Sequence, residues 1–341
     1  MKDPTTSKSS PSSPTRPPSF GTVLAGYLAF TTTYAIAIGS SLLTIYVLYT
    51  IYSGSFSPGL YLLIPYLTYT FTIGRHELKD GARWMWFSNH FWAFQINRKF
   101  LGIELISHKE LEQADKEPNA QFLIAVFPHG TASDYRILMD GLMHQVLPNT
   151  HQNVRVLAAS VLFRLPFIRE LALWTGCIDA RRKVAERALD RGRSILVVPG
   201  GEAEQIRTTR GKEIVFLSSR KGFVKLALQK QVPIVPCYVF GASDYFYTSH
   251  ALFAPREWLR KRFGVCIPLS IGLWGSFVCP LPVKTTIVFG KPITNLKVKE
   301  SGSPTKEELD SAHQAFCDAL VELFDQHKES LGYGDRSIEI I

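Results

Sequence analysis

Apolar and polar positions divide this chain into two regimes. From Pro17 to Gly74 there is no Asp, Glu, Lys, Arg or His, and the run Phe20–Ile51 alone exceeds the roughly 20 residues that a helix needs to cross a hydrocarbon core. A cleaved signal peptide would have an apolar core of roughly 7–15 residues followed by a small-residue cleavage site, whereas this run is longer and continues. Ser53-Gly54-Ser55-Phe56-Ser57-Pro58-Gly59 interrupts it with turn chemistry, and Leu60–Ile73 follows as a shorter apolar piece. The pattern predicts a helical membrane hairpin. Its second arm is short for a full span, so a kinked or re-entrant hairpin and two clean crossings both stay open. Lys2, Lys8 and Arg16 precede the hairpin and Arg75, Lys79 and Arg83 follow it, which places both flanks in the cytosol by the positive-inside rule. Tyr46, Tyr49, Tyr52, Trp84, Trp86 and Trp92 fit either headgroup-level rings or core packing.

From Arg75 the pattern becomes globular. Gln121–Phe127, Val154–Ala159, Ser194–Val198, Val232–Phe240 and Thr285–Phe289 are short apolar runs of strand length, and Asp134–Leu147, Arg182–Arg191 and Ser219–Lys230 show helical spacing. Strands alternating with helices predict an α/β domain, a largely parallel sheet flanked by helices on both faces. Thr305-Lys306-Glu307-Glu308 matches a capping box before a stripe of Leu309, Ala312, Phe316, Leu320, Leu323 and Phe324. This last helix is expected to pack on the domain. Residues 1–19, rich in Ser, Thr and Pro, read as a disordered cytosolic tail. The expected organisation is therefore a tail over 1–19, a membrane hairpin over 20–74 and a globular domain over 75–341.

Composition narrows the classes. The 341 residues carry a net charge of +9, which fits a solvated surface or attraction to an anionic leaflet or cofactor phosphates. No basic run with interleaved aromatics stands out, so nucleic acid is not an expected partner. Cys177, Cys237, Cys266, Cys279 and Cys317 are scattered and odd in number, which predicts free thiols in a reducing compartment and no metal site.

The chemistry concentrates in five blocks: Phe127-Pro128-His129-Gly130 with Asp134, Gly176–Arg182, Val198-Pro199-Gly200-Gly201-Glu202-Ala203-Glu204, Arg220–Leu228, and Val232–Pro236. In an α/β sheet, ligands bind at the carboxyl ends of strands, and His129 falls just past the first strand. An imidazole there suits general-base work, with the Asp134 carboxylate able to fix its tautomer. Asp134 would equally make a helix N-cap with no catalytic role. Gly130 permits close backbone approach, and Gly200-Gly201 could present backbone N–H groups to an oxyanion or form an ordinary strand-to-helix turn.

Phe127-Pro128-His129-Gly130, Pro199–Glu204, Arg220–Leu228 and Phe289-Gly290-Lys291-Pro292-Ile293 resemble the type 2 diacylglycerol acyltransferase family, which includes monoacylglycerol and wax-alcohol acyltransferases. The likeness runs from about Asn97 to Leu331. The His129-x4-Asp134 spacing, Gly176–Arg182 and Val232–Pro236 also resemble the broader glycerolipid acyltransferase superfamily. The type 2 family usually has His-Pro-His-Gly where this chain has Phe127, so the resemblance leaves the base role to His129. That family often lacks the downstream aspartate. Asp134 is the expected orienting partner, with Glu204, at the family's Gly-Gly-x-x-Glu position, as the competitor. Phosphate-handling superfamily members carry Pro-Glu-Gly-Thr-Arg where this chain has Pro199-Gly200-Gly201-Glu202-Ala203, and an acidic residue there favours a neutral acceptor.

The resemblance implies transfer of an acyl chain from acyl-CoA, as co-substrate with no permanently bound cofactor, to diacylglycerol or another neutral lipid alcohol. Arg181, Arg182, Lys212, Arg220 and Lys221 are the candidates for the CoA phosphates. A covalent acyl-cysteine route through Cys177 is the alternative chemistry, and a non-catalytic neutral-lipid-binding membrane protein is the alternative class. The expected location is the endoplasmic reticulum membrane with the domain in the cytosol, or a lipid droplet, and a homo-oligomer is left open.

Overall fold

The computed structural model describes residues 18–54, 60–264, 266–294 and 304–341. Most of the expected disordered tail, and the expected hairpin turn from residue 55 to 59, lie outside the described residues. Ser19, assigned to the tail, instead caps the first helix, its Oγ accepting from the Thr22 N–H at 3.3 Å.

That helix, α1, runs Phe20–Tyr52 over 33 residues and is long and apolar enough to cross a membrane. At 1.5 Å per residue it measures about 50 Å. Gly26, Ala29, Phe30 and Ala37 make its buried stripe, and Phe30 meets Phe100 of the Trp92–Phe100 helix edge-on at 5.8 Å. A Cβ on Gly26 would overlap the Phe100 ring, so glycine sets how closely these two helices approach. The second helix, α2, covers Leu60–Phe71, about 18 Å, too short to cross alone. Its Tyr66 hydroxyl donates to Glu170 at 2.8 Å and its Tyr69 to Glu77, so this arm is tied to the domain.

Among the described residues eleven strands follow: β1 Glu104–Ser107, β2 Leu123–Phe127, β3 Arg155–Ala158, β4 Cys177–Asp179, β5 Ile195–Val197, β6 Glu213–Val215, β7 Ile234–Phe240, β8 Tyr247–Ser249, β9 Leu269–Ile271, β10 Thr286–Phe289 and β11 Ile338–Ile340. Seven form the central sheet in the order β1-β10-β7-β2-β5-β3-β4. Five neighbouring pairs are parallel, and the β10–β7 pair is antiparallel. The largely parallel α/β sheet is the expected one. β11 joins β6 in a two-stranded sheet that pins the C-terminal segment, and β8 pairs with β9.

β2 is buried at every position, and its residues alternate between two cores because strand side chains alternate faces. Ile124 and Val126 face the side where Phe30 of α1 packs. Leu123, Ala125 and Phe127 face the side covered by the Gly222–Lys230 helix and the last helix, Lys306–Leu331. Thr305 and Glu308 form the expected capping box. The expected helix over Asp134–Leu147 is shorter, ending at Asp140 before a single 3-10 turn at Met143–Gln145. Gly141 is its C-cap, where a Cβ would overlap the Arg98 guanidinium.

Gly26→Leu forces a side chain into the α1 contact, and such overpacking costs about 1–3 kcal/mol. The detergent-solubilised variant is expected to melt several degrees lower than the parent; an unchanged melting temperature would contradict the docking of α1 on the domain.

Candidate active site

His129 stands two residues beyond β2, whose neighbours are β7 and β5, so its ring lies at the carboxyl edge near the middle of the sheet. Gly130 follows with φ +68°, and a Cβ there would sit 2.8 Å from the Ala242 carbonyl oxygen. This is a left-handed turn under close backbone approach, and both conditions call for glycine.

The imidazole is half-buried. Its Nδ1 lies 3.0 Å from the Gly130 carbonyl oxygen and its Nε2 lies 3.4 Å from Ser133 Oγ. A carbonyl only accepts, so Nδ1 carries the proton and Nε2 presents its lone pair. Burial lowers the ring's pKa to about 4, the positive charge of Arg136 adds to that, and the Gly130 bond opposes it. At neutral pH the ring is therefore uncharged and able to take a proton.

Glu204 is fully buried in the helix Gly201–Gln205. One carboxylate oxygen accepts the His129 backbone N–H, and the other accepts the Phe216 N–H at 2.8 Å. Burial pushes its pKa up to about 7, while the two N–H bonds and Arg220 pull the other way. A Cβ on Gly200 would overlap this carboxylate, so the first glycine of the pair makes room for Glu204. Gly201 has φ +51° with open space where a Cβ would stand.

Asp134 does not hold the imidazole. Both its oxygens accept from the Tyr34 hydroxyl of α1, at 2.8 and 2.9 Å, and its side chain makes no cap bond to the following helix. Burial raises the Asp134 pKa, opposed by the Tyr34 bond and Arg136. Among the described residues no hydrogen bond joins Asp134 or Glu204 to the ring. Glu204 grips the histidine's backbone, and the carbonyl of Gly130 does the tautomer fixing expected of a carboxylate.

Phe127, at the place of the family's first histidine, is fully buried and packs 6.0 Å from Phe316 of the last helix. The core on the face of β2 covered by the last helix accommodates an aromatic hydrocarbon well at this position.

The five phosphate candidates separate. Arg181 pairs with Asp179 at 3.0 Å, Arg182 with Glu186 at 2.7 Å and with Gln229, and Lys221 with Asp310 at 2.7 Å. Lys212 is exposed on the turn before β6. Arg220 alone lies electrostatically next to Glu204: it stacks on Phe216 at 4.9 Å, and burial together with Arg260 and Arg207 lowers its pKa. Its Nε is buried without a hydrogen-bond partner. Cys177 opens β4 within the core, and burial lifts its thiol to about 11, so it is no thiolate at neutral pH. No group of three or more metal-ligating side chains occurs among the described residues.

Tyr34, Ser133, Arg136 and Phe216 escaped the sequence reading. Tyr34 had a signal: Thr31-Thr32-Thr33-Tyr34 is a polar interruption in an otherwise apolar helix, and polar groups in such segments need partners. The other three carry none, because only folding brings them to His129 or Glu204.

Glu204 supplies a pH test. Below about pH 4.5 the carboxyl is protonated in both folded and unfolded chains; as pH rises to about 7 the unfolded chain ionises first, and folding stability drops by about 3 kcal/mol. His129, whose pKa is lowered, stabilises the fold as pH rises through the same range, so the contribution of Glu204 is read as a difference: in thermal unfolding in detergent from pH 4.5 to 7.5 the parent is expected to lose stability relative to Glu204→Gln. Equal slopes would remove Glu204 as the titrating group.

The profile described as diacylglycerol acyltransferase matches residues 53–340. Diacylglycerol O-acyltransferase 2 of Bos taurus is 28% identical over 278 residues, covering 76% of this chain and 74% of the relative. The protein of that name from Homo sapiens is 28% identical, covering 76% of this chain and 69% of its own length. Human 2-acylglycerol O-acyltransferase 3 is 29% identical over 276 residues, 74% of this chain and 76% of the relative. Among solved structures, the 1-acyl-sn-glycerophosphate acyltransferase of Thermotoga maritima aligns over 87% of this chain and 94% of its own at 14% identity, with a TM-score of 0.39. With one family profile spanning all the described strands and the whole His129–Glu204 site, this chain belongs to the diacylglycerol acyltransferase family.

Proposed function

We propose that this protein is a membrane-bound O-acyltransferase that moves an acyl chain from acyl-CoA to the free hydroxyl of diacylglycerol, giving triacylglycerol, with His129 as general base. The observation that carries the reading is the state of that imidazole: uncharged at neutral pH, Nδ1 committed to Gly130, and Nε2 facing a hydroxyl at 3.4 Å. Nε2 removes the acceptor's proton, and the oxygen attacks the thioester carbonyl carbon. Backbone N–H groups at Gly200 and Gly201 stabilise the tetrahedral oxyanion. The carbon–sulfur bond then breaks, and the CoA thiolate takes the proton back from the imidazolium.

Each neighbour has a positioning task in this scheme. Glu204 fixes the backbone on which the base is carried. Asp134, bound to Tyr34, fixes the site against α1, so a lipid moving beside that helix meets the imidazole laterally. Arg220 is the foremost phosphate contact, because its guanidinium has unmet hydrogen-bonding capacity and no carboxylate partner among the described residues. Glu202, part-buried with its pKa raised by burial, disfavours an anionic acceptor. The hairpin over 20–74 serves as the anchor and residues 75–341 as the catalytic domain, cytosolic at the endoplasmic reticulum or on a lipid droplet.

The human 2-acylglycerol relative favours monoacylglycerol as the second acceptor to test. Purified protein incubated with labelled acyl-CoA and diacylglycerol, monoacylglycerol, long-chain alcohol or lysophospholipid is expected to give triacylglycerol as the main product. No product with any acceptor would favour a lipid-binding protein without catalysis. His129→Ala is expected to lower turnover by about 10²–10⁴-fold while membrane association persists, and substantial residual turnover would remove the proposed base. Because the ring titrates near 4, kcat/KM should show no acid limb from it between about pH 6 and 8. Cys177→Ser is expected to retain full activity, and its loss would revive the acyl-cysteine route.

A further inference from the structure

Between β7 and β10 the chain leaves the central sheet for an excursion made of β8, the helix Phe253–Phe263, and β9. It is fastened at two ends of the site. Trp274 packs 4.9 Å from Tyr27 and 6.4 Å from Phe20 of α1. At the other end Cys266 Sγ lies 3.6 Å from the Glu202 carbonyl, and Thr209 Oγ1 lies 2.8 Å from His250 Nε2. The excursion thus reaches from the membrane helix to the helix that carries Glu204.

Its outer surface is unusual for an interior-seeking segment. Leu252, Trp258, Phe263, Ile271, Trp274 and Phe277 are all exposed, Trp258 at 59%, Phe263 at 61% and Phe277 at 77%. Cations alternate with these rings: Arg262 lies over Phe263 at 5.6 Å, Arg210 over Tyr247 at 4.5 Å, and Lys261 is largely exposed. Arg256 is instead turned inward, donating to the Ser249 and Ile267 carbonyls at 3.1 Å, so the helix is held firmly on its hairpin while its aromatics point outward. Scattered exposed apolar residues need no explanation, but a cluster of aromatics rimmed by cations marks a binding surface.

We infer that this excursion is a second membrane-docking surface, seated at the headgroup level of an anionic leaflet beside α1. The inference rests on reading α1 as the anchor. α1 measures about 50 Å against a hydrocarbon core of about 30 Å, which leaves about 20 Å, or roughly 13 residues, outside the core. Its first 13 residues, Phe20–Thr32, include both partners of Trp274, so the uncharged surface of α1 passes directly into the excursion. Trp and Tyr rings with Arg and Lys are the side chains that settle at the headgroup boundary, rings for their amphipathic bodies and cations for the negative lipid charge. Tyr34, and with it Asp134, then stands at the hydrocarbon edge, the depth at which a neutral lipid presents its hydroxyl.

The test places an environment-sensitive fluorophore on Phe277→Cys or Trp258→Cys in full-length protein carrying Cys266→Ser, the other four native cysteines being buried. Glu322→Cys, exposed on the last helix, is the control. In phosphatidylcholine vesicles containing phosphatidylserine, the labels at 277 and 258 are expected to emit blue-shifted light and to be quenched by shallow spin-labelled lipid. The label at 322 should report water. Lys261→Glu with Arg262→Glu is expected to reduce quenching at 258 at least twofold in anionic vesicles and little in neutral ones. Labels at 277 and 258 as wet as the control, in protein that resists alkaline carbonate extraction, overturn the docking surface while leaving the anchor intact. Extraction of the parent by carbonate overturns the anchor and this surface together. A blue shift that vanishes on dilution of protein at constant lipid would assign the surface to a second copy of the chain and also overturn the proposal.

Discussion

One buried carboxylate organises the centre of this molecule. Glu204 has no solvent to ionise into, yet it accepts two backbone N–H groups, one from His129 and one from Phe216. A buried acceptor shared by two donors is costly to remove, because each orphaned N–H forfeits its hydration without a replacement. Through this group the ends of β2 and β6 and the helix after β5 are held in one place. The adjacent Gly200 exists in that form because any side chain would occupy the carboxylate's volume. The position of His129 is thus fixed through its backbone, and its Nδ1 is committed to the Gly130 carbonyl.

The second organising contact joins α1 to the domain. Tyr34 gives its hydroxyl to both oxygens of Asp134, just five residues from His129. A stripe of small residues and Phe30 brings α1 close enough for that bond to form. α1 consequently stands beside the His129 loop, and α2 is tied to the domain through Tyr66 and Glu170. The excursion between β7 and β10 touches α1 through Trp274 and the helix that carries Glu204 through Cys266.

Much of the fold was legible because its signals are local. Apolar runs of strand length located β2, β3, β5, β7 and β10, and the Thr305–Glu308 capping box located the start of the last helix within a residue. β1, β4, β6, β8, β9 and β11 were missed: they are three or four residues long, partly polar, and acquire strand geometry only through their partners. The helix expected to reach Leu147 stops at Asp140, and Arg98 with the Ser88 backbone leaves no room for a side chain at its cap Gly141, a constraint from residues more than 40 positions away in the chain.

By itself the sequence determined the uncharged N-terminal stretch, the alternation that makes a covered sheet, and the placement of His129 and Glu204 next to strand ends, since periodicity and turn chemistry act over a few residues. Only the tertiary structure decided what those side chains touch. It gave Asp134 to Tyr34, set the histidine's tautomer through Gly130, turned Phe127 into the core, and tied up Arg181, Arg182 and Lys221 in ion pairs while leaving Arg220 beside Glu204. Hydrogen-bond partners and burial depend on distances between segments far apart in sequence, and those distances exist only once the sheet and its helices have packed.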